Sequence, residues 1–216
     1  MNETLGTQSQ PENTVCGAPL SVGGRWLIPI TGNGHETDEG RSFTWEEAAL
    51  IAFPNGGASA EAWGSRVEEN NGNGGGEYHF EALGSDAVLI SALMGDATPP
   101  GQSGPMFQVL KWDASADSFV TASCWQATRP TAAPTGATAC AVTLASSFHL
   151  RETQSLSREN ASSFPGGTAV SVLAAGTLQR GEAKLHCVRV PSGQVGYAFV
   201  TPSEARGCPT PLPTSN

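Results

Sequence analysis

The stretch Lys184-Leu185-His186-Cys187-Val188-Arg189-Val190-Pro191-Ser192-Gly193-Gln194-Val195-Gly196-Tyr197-Ala198-Phe199-Val200 decides the fold class. Lys184 to Val190 alternates, the side-chain period of a strand with one face buried. Tyr197 to Val200 is the returning strand, and Pro191-Ser192-Gly193 between them is turn sequence. Gly193 and Gly196 stand where a tight hairpin needs either a positive φ or a close backbone approach. Upstream the same pattern repeats. Thr168 to Leu173 alternates behind a Pro165-Gly166-Gly167 turn, and Cys140 to Leu144 and Phe148 to Leu150 are shorter runs of the same kind.

The first half is also strand material. Ala87-Val88-Leu89-Ile90-Ser91-Ala92-Leu93 is an uninterrupted apolar run, as a central strand buried on both faces requires. Met106 to Trp112 and Phe119 to Trp125 flank the polar turn Asp113-Ala114-Ser115-Ala116-Asp117 and read as a hairpin. Arg25 to Ile30 is a short strand whose proline points to an edge or an end. Thr44-Trp45-Glu46-Glu47 has the spacing of a helix capping box, so Ala48 to Phe53 is either a short helix or a buried strand. With 26 Gly and 15 Pro interrupting the apolar runs, short strands and turns are favoured over helices. No run is long enough to span a membrane as a helix.

These readings give an all-β chain in five parts. Residues 1–18 are expected to be disordered. Residues 19–128 form a β-rich domain, sandwich- or barrel-like, and 129–138 a Pro/Thr-rich linker. Residues 139–208 form a small second β domain, and 209–216 a tail. The net charge of −9 is uneven. Residues 1–128 hold sixteen acidic against four basic side chains, and residues 129–216 four against seven. The acidic half repels phosphate backbones, which argues against a nucleic-acid partner.

The cysteines are Cys16, Cys124, Cys140, Cys187 and Cys208, with no C-x-x-C pair that would suggest zinc or redox chemistry. Four of them bracket the two domains. The expectation is therefore Cys16–Cys124 and Cys140–Cys208, with Cys187 a buried thiol in mid-strand. That framework belongs in an oxidising compartment, outside the cytoplasm. The opening Met1-Asn2-Glu3-Thr4 has neither the basic start nor the apolar core of a leader, consistent with a mature exported chain whose signal peptide has been removed.

The order of features in the last third resembles the bacterial Src-homology-three-like domain, a small β-barrel of exported envelope proteins. His149-Leu150-Arg151 stands for its first strand and Gly167-Thr168-Ala169-Val170-Ser171-Val172-Leu173 for its "G-T-x-V-x-V-L" strand. Cys187-Val188-Arg189-Val190-Pro191-Ser192-Gly193-Gln194-Val195-Gly196-Tyr197 stands for its "K-V-R-x-x-x-G-x-x-G-W" hairpin. The resemblance implies a barrel over residues 139–208. It also implies a ligand groove of aromatic and basic residues, with Tyr197, Arg189, Arg151 and Phe164 as its members, and cell-wall peptide or glycan as partner. Two features depart from the family: the first loop lacks the usual Gly-Pro, and Leu185-His186-Cys187 replaces the aromatic that normally precedes the "K-V-R" strand.

Catalytic motifs are sparse. There is no G-x-S-x-G elbow, and the glycine-rich run 70–77 ends in Glu77, which would repel phosphate. His186 and Cys187 are adjacent on a strand and point to opposite faces, so they form no dyad. Metal ligands are the remaining resource. His35 and Asp38 are expected in one short acidic loop with Glu36 and Glu39, where Tyr78-His79 could join them from a neighbouring strand, and Asp113 and Asp117 bracket the hairpin turn; zinc or calcium are the ions these donors suit. All five tryptophans, Trp26, Trp45, Trp63, Trp112 and Trp125, lie in the first half, where a core takes most and a strand face can present one or two to a ligand. The expected function is noncatalytic binding at the cell envelope without a cofactor. The alternatives are a metal-dependent cell-wall hydrolase and a structural or adhesive envelope protein.

Overall fold

The computed structural model describes residues 13–38, 41–53, 60–70, 77–93, 104–134, 138–151 and 161–212; within its strands, residues 35–38, 41–46, 60–61 and 65–70 are described as backbone only. Among the described residues there is no helix, and the chain is all-β. The expected helix alternative after Thr44 does not form. Thr44 pairs with His35 and Glu47 with Gly32, so the sheet ladder already satisfies the backbone groups a cap would serve.

Close contacts divide the chain into two compact units, Met1–Asp96 with Leu110–Val120, and Ala97–Val109 with Thr121–Asn216. The first unit holds a five-stranded antiparallel sheet in which β1 (Asn13–Cys16), β3 (Arg25–Asp38), β4 (Arg41–Phe53) and β5 (Ala60–Asn70) are neighbours in that order. β2 (Leu20–Val22) also pairs with β3. Alternation puts Val22, Leu27, Ala48 and Leu50 on one face, all buried. Trp63, opposite Leu50, meets Tyr78 and Phe80 edge-on, each at 5.8 Å. The other face carries Ile28, Ile30, Ala49 and Ile51, and ends in the paired Trp26 and Phe53, which are 57% and 40% exposed.

The next sheet runs in the order β6 (His79–Ala82), β7 (Ala87–Ala92), β8 (Met106–Asp113) and β9 (Ser118–Thr121). β7 is an interior strand, as its unbroken apolar run predicts, and Val88, Leu89 and Ile90 are buried on both faces. β8 and β9 are the expected hairpin. At its tip, Asp113 Oδ1 accepts hydrogen bonds from Ser115 N, Ser115 Oγ and Ala116 N.

In the second unit, β10 (Cys140–Leu144), β13 (Thr168–Arg180), β14 (Ala183–Arg189) and β15 (Val195–Val200) form an antiparallel sheet in that order. β11 (Phe148–Leu150) and β12 (Ser162–Phe164) pair with each other, and a bridge between Arg151 and Tyr197 joins β11 to β15. Inward-facing Val142, Leu144, Leu150, Val170, Val172, Val188, Ala198 and Val200 make its core. The quoted hairpin is β14 and β15, and each glycine answers one of the two stated needs. Gly193 has φ 88°. At Gly196 a Cβ atom would lie 2.7 Å from the Arg151 carbonyl oxygen and 2.8 Å from Leu150 Cγ, so bare backbone is required there.

The disulfides correct one pairing. Cys140 is bonded to Cys208 as expected, with Cα atoms 5.2 Å apart. Cys124, however, is bonded to Cys187, with Cα atoms 5.8 Å apart, and Cys16 is an exposed free thiol. The expectation rested on positions along the chain, whereas a bridge requires neighbours in space. Cys187 faces inward on β14, in a cluster with Cys124, Leu173, Leu185 and Tyr197.

Candidate functional site

Within the second unit a cleft of about 240 Å3 opens between the end of β10, the 145–147 loop, β11, the β13–β14 turn and the end of β15. Phe148, His149 and Arg151 come to it from β11 and the residue beyond, Arg180 from the end of β13, Phe199 from β15, and Glu204 from the following turn. Arg151 is buried, yet lines the cleft. Its Cζ lies 5.1 Å from the centroid of Phe199, a cation–π contact, and its Nη1 donates to the His149 carbonyl at 2.9 Å. His149 is held through Nδ1, 3.1 Å from Ser163 Oγ. Phe148 stacks on Phe164 with centroids 5.3 Å apart.

One wall is a clasp. Glu204 Oε1 accepts from Ala145 N at 2.8 Å, and Oε2 accepts from Thr201 N at 2.8 Å and Thr201 Oγ1 at 2.7 Å. Glu204 N in turn donates to Thr201 Oγ1. Thr201-Pro202-Ser203-Glu204 thus has the reciprocal geometry of a capping box, closed by Ala205 N donating to Thr201 O. Partial burial pushes the Glu204 carboxyl upward, but hydrogen bonds from Thr201 N, Ala145 N and the Thr201 hydroxyl outweigh it and hold the group below its ordinary value. Cys208, four residues on, fastens the same turn to β10 through Cys140.

The expected groove residues separate. Arg151 lies in this cleft, and Phe164 touches it through Phe148. Tyr197 is fully buried, and its hydroxyl donates to the Trp125 carbonyl at 3.0 Å. That hydrogen bond ties it to Trp125, its ring packs in the cluster with Cys124, and it presents no face to solvent. Arg189 Nη2 donates to the Thr121 carbonyl at 2.9 Å, in the same segment as Trp125. His186 is buried beside Cys187 and its pKa is lowered, first by burial and then by Lys184.

Of the metal candidates, His35 and Asp38 lie in β3 opposite Thr44 and Arg41, an extended ladder where the sequence suggested a loop; their side chains lie outside the described residues. His79 Nε2 is 3.8 Å from Glu77 Oε2 on an exposed surface. Asp113 caps the hairpin turn, and Asp117 Oδ1 pairs with Arg25 Nη2 at 2.9 Å. Among the described residues no group of three or more His, Cys, Asp or Glu is placed to hold a metal ion.

The sequence reading missed Phe148, Phe199, Arg180 and Glu204. The T-P-S-E run was the available signal: a cap-and-proline pattern directly after a strand. The rest of the cleft comes from three chain segments, 144–151, 180–183 and Phe199, that only the fold brings together. No family model, curated protein or solved structure matches the chain.

Proposed function

We propose that this chain is a noncatalytic binding protein of the bacterial cell envelope that takes peptide or glycan in the cleft of its second unit. The observation that carries the reading is the lining: Phe199 lies against the buried Arg151, Phe148 adds a second aromatic, and hydroxyls and a second arginine complete it. Aromatic faces, fixed charge and hydrogen-bonding groups in one small concavity are what a recognition site uses. One wall is held before any ligand arrives, because the Glu204 clasp and the Cys140–Cys208 bridge both fasten the turn after β15 to β10 and the loop that follows it. Such preorganisation lowers the entropy lost on binding. Two disulfides support a location outside the cytoplasm, and the resemblance of the sequence features over residues 139–208 to the Src-homology-three-like family is what points to the envelope.

The test incubates the full-length chain with insoluble wall material and with a panel of wall peptides and glycans, and measures metal content on the same preparation. Saturable binding that weakens about tenfold in a folded Phe199→Ala protein is expected. Absence of binding across the panel would overturn the reading. Stoichiometric zinc that is lost in His35→Ala would replace it with the hydrolase.

A further inference from the structure

Resting on that reading, we infer that the cleft selects a carboxylate, and specifically the free C-terminus of a short peptide. Two arginines line a cavity large enough for only a small group. Arg151 is buried and fixed by its contacts with Phe199 and the His149 carbonyl, so its charge cannot swing away from the cleft. Arg180 is exposed at the rim, and among the described residues no carboxylate lies within ion-pair distance of it. A guanidinium binds a carboxylate through paired parallel donors, and does so most strongly where water is partly excluded.

Among the described residues of the lining Glu204 is the one acidic group, and it makes no ion pair with either arginine. Both Glu204 oxygens are engaged by Ala145 and Thr201 donors, which hold the carboxylate against its own turn. Ser146 and Ser147 add hydroxyls, while Phe148 and Phe199 supply apolar surface. A peptide terminus combines those needs: one carboxylate for the arginines, amide groups for the hydroxyls, and a small side chain for the rings. A uronic acid offers the carboxylate, but surrounds it with hydroxyls that would lose water against the apolar surface of Phe148 and Phe199.

The test titrates the full-length chain with three probes: an acetylated alanine dipeptide with a free carboxylate, its C-terminal amide, and glucuronate. The free acid should bind, the amide should be at least about tenfold weaker, and binding should decline with added salt. Arg180→Gln should lose about tenfold for the acid and nothing for the amide. Because Arg180 is exposed, this variant keeps the test independent of any folding defect in Arg151→Gln. Equal affinity for acid and amide would overturn the carboxylate inference and leave the binding reading standing. Preference for glucuronate would overturn the peptide. No binding by any probe, in a chain that still binds wall material, would also overturn the inference; failure with wall material as well would remove the function it rests on.

Discussion

Gly196 is bare because the Arg151 carbonyl and Leu150 occupy the space a side chain would need. Gly196→Val must push one of them aside, and both belong to the segment that carries Arg151. We expect a loss of about 1–3 kcal/mol, the usual penalty for overpacking, read from thermal melts. Gln194 lies in the same hairpin but is exposed, with one long hydrogen bond to Ser162 Oγ at 3.3 Å. Gln194→Val should stay within about 0.5 kcal/mol. Equal tolerance at the two positions would contradict the packing described. At this scale the sequence was partly legible: it marked both hairpin glycines as sensitive, but the positive φ that would make Gly196 so belongs to Gly193, at 88°, and Gly196 is held bare by close approach instead. The two T-x-x-E runs show the limit of a motif. At Thr44 the flanking backbone is paired in a sheet, whereas at Thr201 the strand ends, Pro202 sets the backbone for a turn, and the box closes.

Strands were easier to read than their connections. The β7 run, the β8–β9 hairpin and the β14–β15 hairpin all stand where period and turn chemistry put them. β12 was missed because Ser162-Ser163-Phe164 has too little apolar content to show a period; pairing with β11 makes it a strand. The cysteine pairing failed at the same level. Cys187 in mid-strand suggested a lone buried thiol, but an inward position is where a partner across the core can be met, and Cys124 is there. Non-reducing peptide mapping should return Cys124–Cys187 and Cys140–Cys208, with one thiol, Cys16, that alkylates in the native protein. A Cys16–Cys124 peptide would refute this connectivity. Replacing Cys124 and Cys187 together by alanine should lower stability by about 2–4 kcal/mol.

For the whole molecule, the period-two alternation of the short apolar runs, with turn residues between many of them, carried the fold class, and the described residues are all-β. The uneven charge places the basic excess on the same side of the sequence as the candidate cleft, although the cleft is assembled from segments between Leu144 and Glu204 that no linear pattern connects. Under the proposed function, recognition happens in this cleft. The direct measurement is a map of amide chemical shifts for the full-length chain while wall-derived peptide is added. Shifts should concentrate at residues 144–151, near Arg180, and from Phe199 to Glu204, and saturate together. Saturating shifts confined to the first unit, for example around the exposed Trp26 and Phe53, would contradict it.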